Sequence, residues 1–157
     1  MSILKVGDKA PDFVLKNQEG ASVSLQHLIS QKNIVLYFYP KNETPGCVKE
    51  ACSFRDQYED FLEAGAEVVG VSSDSVDSHQ KFISNRNLPF ILLSDPGGKV
   101  ADAYGCKKSL FGLIPARVTF IIDQQGIIRN SFESQFNIDR HVKEALEVIK
   151  SLSRTPA

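Results

Sequence analysis

Cysteine and histidine are both scarce in this sequence, and neither is arranged as a structural zinc site requires. The 157 residues include three cysteines and three histidines. Zinc usually takes four ligands, commonly from closely spaced Cys-x2-Cys pairs. His27, His79 and His141 stand alone in the chain, so each is interpreted as an exposed or hydrogen-bonded polar side chain. We therefore expect no metal site.

Long apolar runs and a strong net charge are also lacking. No run approaches the ~20 apolar residues of a membrane-spanning helix. The formal net charge of −1 provides no basic field for nucleic acid or an anionic membrane. Residues 1–13 contain neither an apolar core nor a small-residue cleavage site, so no secretory signal is expected. The sequence predicts one cytosolic domain, residues 1–157, whose cysteines serve redox chemistry rather than a permanent disulfide.

The most informative stretch is residues 35–54, VLYFYPKNETPGCVKEACSF. An apolar run at 34–39 is followed by a proline-containing loop, then Cys47 and, within a helical pattern, Cys52. The first turn of a helix offers unpaired N–H groups and the positive end of the helix dipole, and both favour a thiolate. The alternative is that both cysteines are small buried hydrophobic residues, which is common for free cysteine.

Hydrophobic periodicity and turn signals predict alternating strands and helices. The predicted strands are 13–16, 22–25, 34–39, 67–72, 90–93, 117–122 and 127–133. The predicted helices are 25–29, 47–64, 76–86, 95–104 and a last one that begins near residue 137 or 139; residues 106–115 are predicted to be a loop. Alternating β and α units favour a parallel core with right-handed crossovers. We therefore expect an α/β fold with a mixed central sheet flanked by helices and an N-terminal β-hairpin extension.

Cys47 needs a favourable environment to react. A thiol with a reference pKa of about 8.5 is only a few per cent thiolate at neutral pH. The hydroxyl of Thr44 could donate to the sulfur or to a bound oxygen. Arg55 lies two turns further along the same predicted helix and is expected to be too far away. Arg117, at the entry to the predicted strand 117–122, could reach the same end of the sheet.

The segment PKNETPGC at 40–47 matches the P-x-x-x-T-x-x-C signature of the peroxiredoxin family. The Cys47-x4-Cys52 pair resembles the peroxiredoxin Q / bacterioferritin comigratory protein subfamily. The likeness covers nearly the whole chain, through the segments GDKAPDF, GVSSDS, LPFILLSD, LFGLIPAR and VTFIID. It implies a thioredoxin-like fold and a thiol peroxidase of the atypical 2-Cys type. A thioredoxin-type Cys-x-x-Cys motif is absent, so the chain is not expected to be a dithiol oxidoreductase of that design.

The resemblance also assigns roles to individual residues. Cys47 would be the peroxidatic nucleophile and Cys52 the resolving cysteine. Thr44 would orient the peroxide and hydrogen-bond the sulfur, and Pro40 would shield the reactive cysteine. Arg117 would favour the thiolate and stabilise the departing oxygen. The implied substrates are hydrogen peroxide and alkyl hydroperoxides, and the implied reductant is thioredoxin or a similar dithiol acting on a monomer. No cofactor is implied, because sulfur carries both electrons.

Two positions depart from the family pattern. Val48 stands where a threonine is common, which we expect to affect only packing. Cys106 has no counterpart and is interpreted as an ordinary loop thiol, the alternative being a second resolving or regulatory thiol. A redox sensor or chaperone that uses the same thiols is the alternative function, and a purely structural domain is a third.

The spacing of the two cysteines places a demand on the backbone. Residues five apart on an α-helix have Cα atoms roughly 8 to 9 Å apart. A disulfide needs Cα atoms within ~7 Å. If Cys47 and Cys52 lie on one helix and pair with each other, we predict that the first turns of that helix unwind in each catalytic cycle.

Overall fold

The computed structural model describes residues 3–106, 108–109, 114–115, 117–133 and 137–154. The strands are β1 (Val14–Lys16), β2 (Ser22–Ser24), β3 (Asn33–Phe38), β4 (Ala66–Ser72), β5 (Ile91–Ser94), β6 (Lys108–Ser109), β7 (Ile114–Pro115), β8 (Val118–Ile122) and β9 (Ile128–Glu133). The helices are α1 (Leu25–Gln31), α2 (Pro45–Asp56), α3 (Tyr58–Glu63), α4 (Val76–Arg86), α5 (Lys99–Ala103) and α6 (Ile138–Arg154).

Seven of these strands form one mixed sheet, in the order β2-β1-β5-β4-β3-β8-β9. The three strands β3, β4 and β5 are parallel, as the alternating pattern predicts. β8 and β9 add antiparallel strands beyond β3, and the hairpin β1–β2 joins the opposite edge through the pair Lys16 and Ser94. The predicted mixed sheet and N-terminal hairpin are therefore confirmed.

Helices cover both faces of the sheet, as the apolar residues 34–38 of β3 require. Alternate side chains of a strand point to opposite faces. Val35 and Tyr37 pack into the cluster that contains Phe54 of α2, whereas Leu36 packs into a second cluster with Leu25 of α1. Residues 34–38 of β3 are all buried, which is typical of a central strand in such a fold.

The helix predicted for residues 47–64 is divided into two. Gln57 has φ −103° and ψ 6°, outside the helical range, so α2 ends before it and α3 begins after it. After this break α3 packs against β4, where the hydroxyl of Tyr58 donates to Glu67 at 2.9 Å. The prediction of one continuous helix is therefore wrong, because periodicity does not register a single non-helical residue.

The predicted loop at 106–115 contains a short antiparallel pair, β6 and β7. Residues 107, 110–113 and 116 lie outside the described part of the chain. Within the part that is described, no helix is long and apolar enough to cross a membrane. The same residues hold no group of three or more His, Cys, Asp or Glu side chains placed to bind a metal ion.

Candidate active site

Cys47 lies in the first turn of α2, shortly after the central strand β3. The chain leaves β3 at Phe38 and enters α2 at Pro45. Proline suits the first helical position because its missing N–H would be unpaired there and its φ is already helical. Cys47 is the third residue of the helix, where the dipole favours negative charge. Its side chain is only 1% exposed.

The strand register brings Arg117 to this position. β8 runs antiparallel to β3, and its first residue, Val118, pairs with Phe38, the last residue of β3. Arg117 therefore stands beside the point where the chain turns towards α2. Its Nη2 donates to Sγ of Cys47 at 3.3 Å, and its side chain is buried. Arg55 instead donates to the carbonyl of Arg86 at 2.7 Å, away from the sulfur.

Glu50 is a third member of the site, and sequence reasoning missed it. Nη1 of Arg117 donates to Oε1 of Glu50 at 2.7 Å. Arg117 therefore bridges the Cys47 sulfur and a carboxylate that is fully buried. Its place in the site could have been predicted from the sequence, because residues three apart share one face of a helix and Glu50 follows Cys47 at that spacing.

The second oxygen of Glu50 faces His141 of α6. Oε2 lies 3.8 Å from Nδ1 of His141 and makes no hydrogen bond to any residue that the structure describes. Nδ1 of His141 is also 2.8 Å from the hydroxyl of Thr119 in β8. His141 and His79 are thus buried and hydrogen-bonded, as the sequence predicts, and His27 is exposed.

Burial governs the charge of Glu50. Desolvation raises the pKa of Glu50 from 4.5 to about 7, although the Arg117 charge acts in the opposite direction. One guanidinium faces two acidic groups here, the thiol and the carboxyl. When Glu50 is protonated and therefore neutral, the positive charge of Arg117 acts on the Cys47 sulfur without competition from a carboxylate.

The raised pKa of Glu50 predicts a pH-dependent stability. Between pH 4.5 and about 7 the folded carboxyl keeps its proton while the unfolded one loses it. The unfolded state therefore binds fewer protons, and the free energy of unfolding falls as the pH rises through this window. Glu50→Gln lacks this titration, so its stability relative to wild type should rise by about 3 kcal/mol across the window. Urea unfolding of both proteins tests this, and a constant difference would contradict it.

Thr44 and Pro40 lie in the loop before α2. Thr44 is the N-cap residue of α2 but makes no side-chain capping bond, and its hydroxyl donates to the carbonyl of Lys41 at 2.8 Å. The predicted hydrogen bond from Thr44 to the sulfur would therefore require its hydroxyl to rotate. Pro40 is half-buried and lines a cavity of about 420 Å³ at the carboxyl ends of β3 and β4.

The three cysteines occupy different environments, and all are free thiols. Cys52 is half-buried and lies on the same uninterrupted helix as Cys47. Cys106 lines the cavity beside Pro40 but is only 3% exposed. Burial, followed by the charges of Glu133 and Asp102, raises the pKa of the Cys106 thiol to about 12. Cys106 is therefore a poor nucleophile at neutral pH.

Residues 6–131 match the AhpC/TSA family. The chain belongs to the AhpC/TSA family. Among its relatives are chloroplastic peroxiredoxin Q of Sedum lineare, 48% identical over 146 residues that cover 93% of this chain and 78% of the relative. Chloroplastic peroxiredoxin Q of Arabidopsis thaliana is 48% identical over 145 residues, covering 92% and 67%.

Solved structures agree with this family. Peroxidoxin BcpB of Mycobacterium tuberculosis has a TM-score of 0.89 and 40% identity, covering 95% of this chain and 98% of that one. PrxQ of Xylella fastidiosa has a TM-score of 0.88 and 28% identity, covering 98% and 100%. The peroxiredoxin resemblance and the thioredoxin-like fold are therefore confirmed, and the chain is a thiol-dependent peroxidase, an oxidoreductase.

Proposed function

We propose that Cys47 is the peroxidatic nucleophile of this peroxidase. The observation that carries the proposal is the 3.3 Å hydrogen bond from Arg117 to Sγ in the first turn of α2. The thiolate attacks one peroxide oxygen, so that an S–O bond forms as the O–O bond breaks. The other oxygen leaves and takes a proton, as water from hydrogen peroxide or as an alcohol from an alkyl hydroperoxide. Cys47 is oxidised to a sulfenic acid.

The surrounding residues support this step in distinct ways. Arg117 favours the thiolate and stabilises the charge that develops on the departing oxygen. The Thr44 hydroxyl rotates from the Lys41 carbonyl to orient the peroxide. Pro40 shields the sulfur from bulk water.

Cys52 then resolves the sulfenic acid. Its thiol attacks the Cys47 sulfur, a disulfide forms and water leaves. Because both residues lie within the uninterrupted helix α2, their spacing requires the start of α2 to unwind before they can meet. An oxidised structure with a 47–52 disulfide inside an intact α2 would contradict this requirement. Thioredoxin or a similar dithiol then reduces the disulfide by exchange and is itself oxidised.

Single cysteine variants test the resolving residue. With thioredoxin as reductant, Cys52→Ser should lower turnover roughly tenfold or more, because the intramolecular thiol is lost. Cys106→Ser should keep wild-type turnover, since that thiol is buried and its pKa is about 12. The reverse pattern in a steady-state peroxide assay would make Cys106 the resolving residue instead.

Gly46 offers a second test of the contact between Arg117 and the sulfur. A Cβ at this position would lie 3.0 Å from Nη2 of Arg117. Gly46→Ala should therefore push the guanidinium away from Cys47 and slow the reaction with peroxide about threefold to tenfold. The higher helix propensity of alanine should offset part of the stability that is lost when the buried guanidinium shifts. Stopped-flow oxidation and urea unfolding measure the two effects. Ser53→Ala, later on α2, is the control, and equal rates in both variants would contradict the prediction.

The remaining assignments concern the setting in which the enzyme acts. We expect a monomer in the cytosol that reduces hydrogen peroxide and alkyl hydroperoxides. The two plant relatives named above are chloroplast proteins, so cell fractionation of the source organism is the direct test of location. A redox sensor would use the same thiols without sustained turnover, and continuous peroxide consumption with a dithiol present distinguishes the two functions.

A further inference from the structure

Asn42 lies in the loop between β3 and α2 and is only 5% exposed. All the polar groups of its side chain are engaged. Oδ1 accepts from the Tyr39 hydroxyl at 2.6 Å, and Nδ2 lies 3.1 Å from Oγ of Ser78 and 2.9 Å from Nδ1 of His79. Its backbone N–H donates to the Asp74 carboxylate at 2.9 Å. Four neighbouring side chains therefore hydrogen-bond to this loop residue.

His79 fixes the direction of these hydrogen bonds. Its Nε2 is 2.9 Å from the carbonyl oxygen of Leu93, which can only accept, so Nε2 carries the hydrogen. Burial lowers the pKa of His79, against smaller opposing effects of the Leu93 carbonyl and Asp74. The neutral imidazole therefore presents Nδ1 as an acceptor, and the Nδ2 group of Asn42 donates to it.

The next residue, Glu43, attaches the loop to the other end of α4. Glu43 has φ +61°, a left-handed conformation that is unfavourable for a residue other than glycine. Its carboxylate accepts from Nδ2 of Asn85 at 2.9 Å and from Arg86 at 2.9 and 3.2 Å. The loop that precedes Thr44 thus contacts both the first and the last turn of α4.

We propose that Asn42, held by Tyr39 and His79, is a positioning residue for the peroxidase reaction. It fixes the loop that carries Pro40 and Thr44 and from which α2 begins, so it sets how readily α2 unwinds once Cys47 is oxidised. The inference rests on the proposed function of Cys47 and Cys52.

The hydrogen bonds that hold Asn42 in place, here called the loop anchor, affect two competing reactions of the oxidised enzyme. In the intact site, a second peroxide converts the Cys47 sulfenate to a sulfinate and releases water or an alcohol. After α2 unwinds, Cys52 reaches the sulfenic acid and forms the disulfide. A weaker loop anchor should therefore slow the attack of Cys47 on peroxide, since Thr44 and Pro40 are less well placed. It should also raise the ratio of disulfide to sulfinate formed at Cys47.

Tyr39→Phe tests this with the smallest change, because it removes one hydroxyl, which donates to Asn42 at 2.6 Å and lies 3.5 Å from Nδ1 of His79. Tyr58→Phe is the matched control, since it removes an equivalent hydroxyl that donates to Glu67 away from the loop. Each variant is treated with excess hydrogen peroxide in the absence of a reductant and quenched with an alkylating reagent. Intact mass then gives the ratio of disulfide to sulfinate. Loss of one hydrogen bond corresponds to an increase in that ratio of about threefold.

The outcomes separate the inference from the function on which it rests. A ratio at least about threefold higher in Tyr39→Phe than in Tyr58→Phe, with slower peroxide consumption, supports the positioning role. An equal or lower ratio overturns it, even if both variants lose the same stability, provided that wild type forms its disulfide. If wild type forms no disulfide with peroxide, the proposed function itself fails.

Discussion

Cys47→Ser should lower peroxide consumption by at least about a thousandfold, to the level of the reaction without enzyme. The serine hydroxyl is not ionised at neutral pH and cannot take up the oxygen atom as a sulfenate. The change should be tolerated by the fold, because serine is smaller than cysteine and its oxygen can accept the hydrogen bond from Arg117. Steady-state consumption with a dithiol reductant measures the loss.

A matched control separates this loss from damage to the core. Cys106→Ser makes the same substitution at another buried thiol, one that is 3% exposed. That variant should retain activity within about twofold while losing some stability. If Cys47→Ser kept a tenth or more of wild-type activity, Cys47 would not be the nucleophile.

Arg117→Met should slow the reaction with peroxide by at least about a hundredfold at neutral pH. The substitution removes the group that donates to Sγ at 3.3 Å and leaves the buried Glu50 without its partner at 2.7 Å. Stability should also fall, because the buried carboxyl of Glu50 loses the hydrogen bond that Arg117 donates to it. Stopped-flow rates of oxidation by hydrogen peroxide at neutral pH measure the effect.

Two further variants show whether the lost rate is due to the missing hydrogen-bond geometry of Arg117 or to its missing positive charge. Arg117→Lys keeps the positive charge but cannot donate two N–H groups in a fixed fork, so it should recover only part of the rate. Arg55→Met removes a guanidinium on α2 that bonds to the Arg86 carbonyl rather than to the sulfur. It should stay within about threefold of wild type. A lysine variant with full activity would contradict the bridging role of Arg117.

The sequence predicts only that Arg117 could reach the end of the sheet that carries Cys47, and the structure shows the contact between them. The strand pattern placed the entry of β8 at the same end of the sheet as the loop after β3, and the register confirms it through Phe38 and Val118. Glu50 could also have been found, because its spacing from Cys47 puts it on the same helix face.

The hydrogen bonds that hold Asn42 could not be predicted in the same way. Asn42 and His79 are 37 positions apart and meet only because β3 and β4 are neighbours in the sheet, which brings α4 beside the loop. Nothing in the local pattern marks His79 as a partner of Asn42. The break at Gln57 likewise depends on how α3 packs on β4. Contacts of this kind are set by tertiary packing rather than by periodicity.

The most direct test of the account is to map the cysteines after one equivalent of hydrogen peroxide. Reduced protein is oxidised, alkylated and digested, and the linked peptides are identified by mass spectrometry. We predict a disulfide between Cys47 and Cys52 in most chains, with Cys106 recovered as a free thiol. Unreacted Cys47, or a disulfide that includes Cys106, would contradict the proposed mechanism.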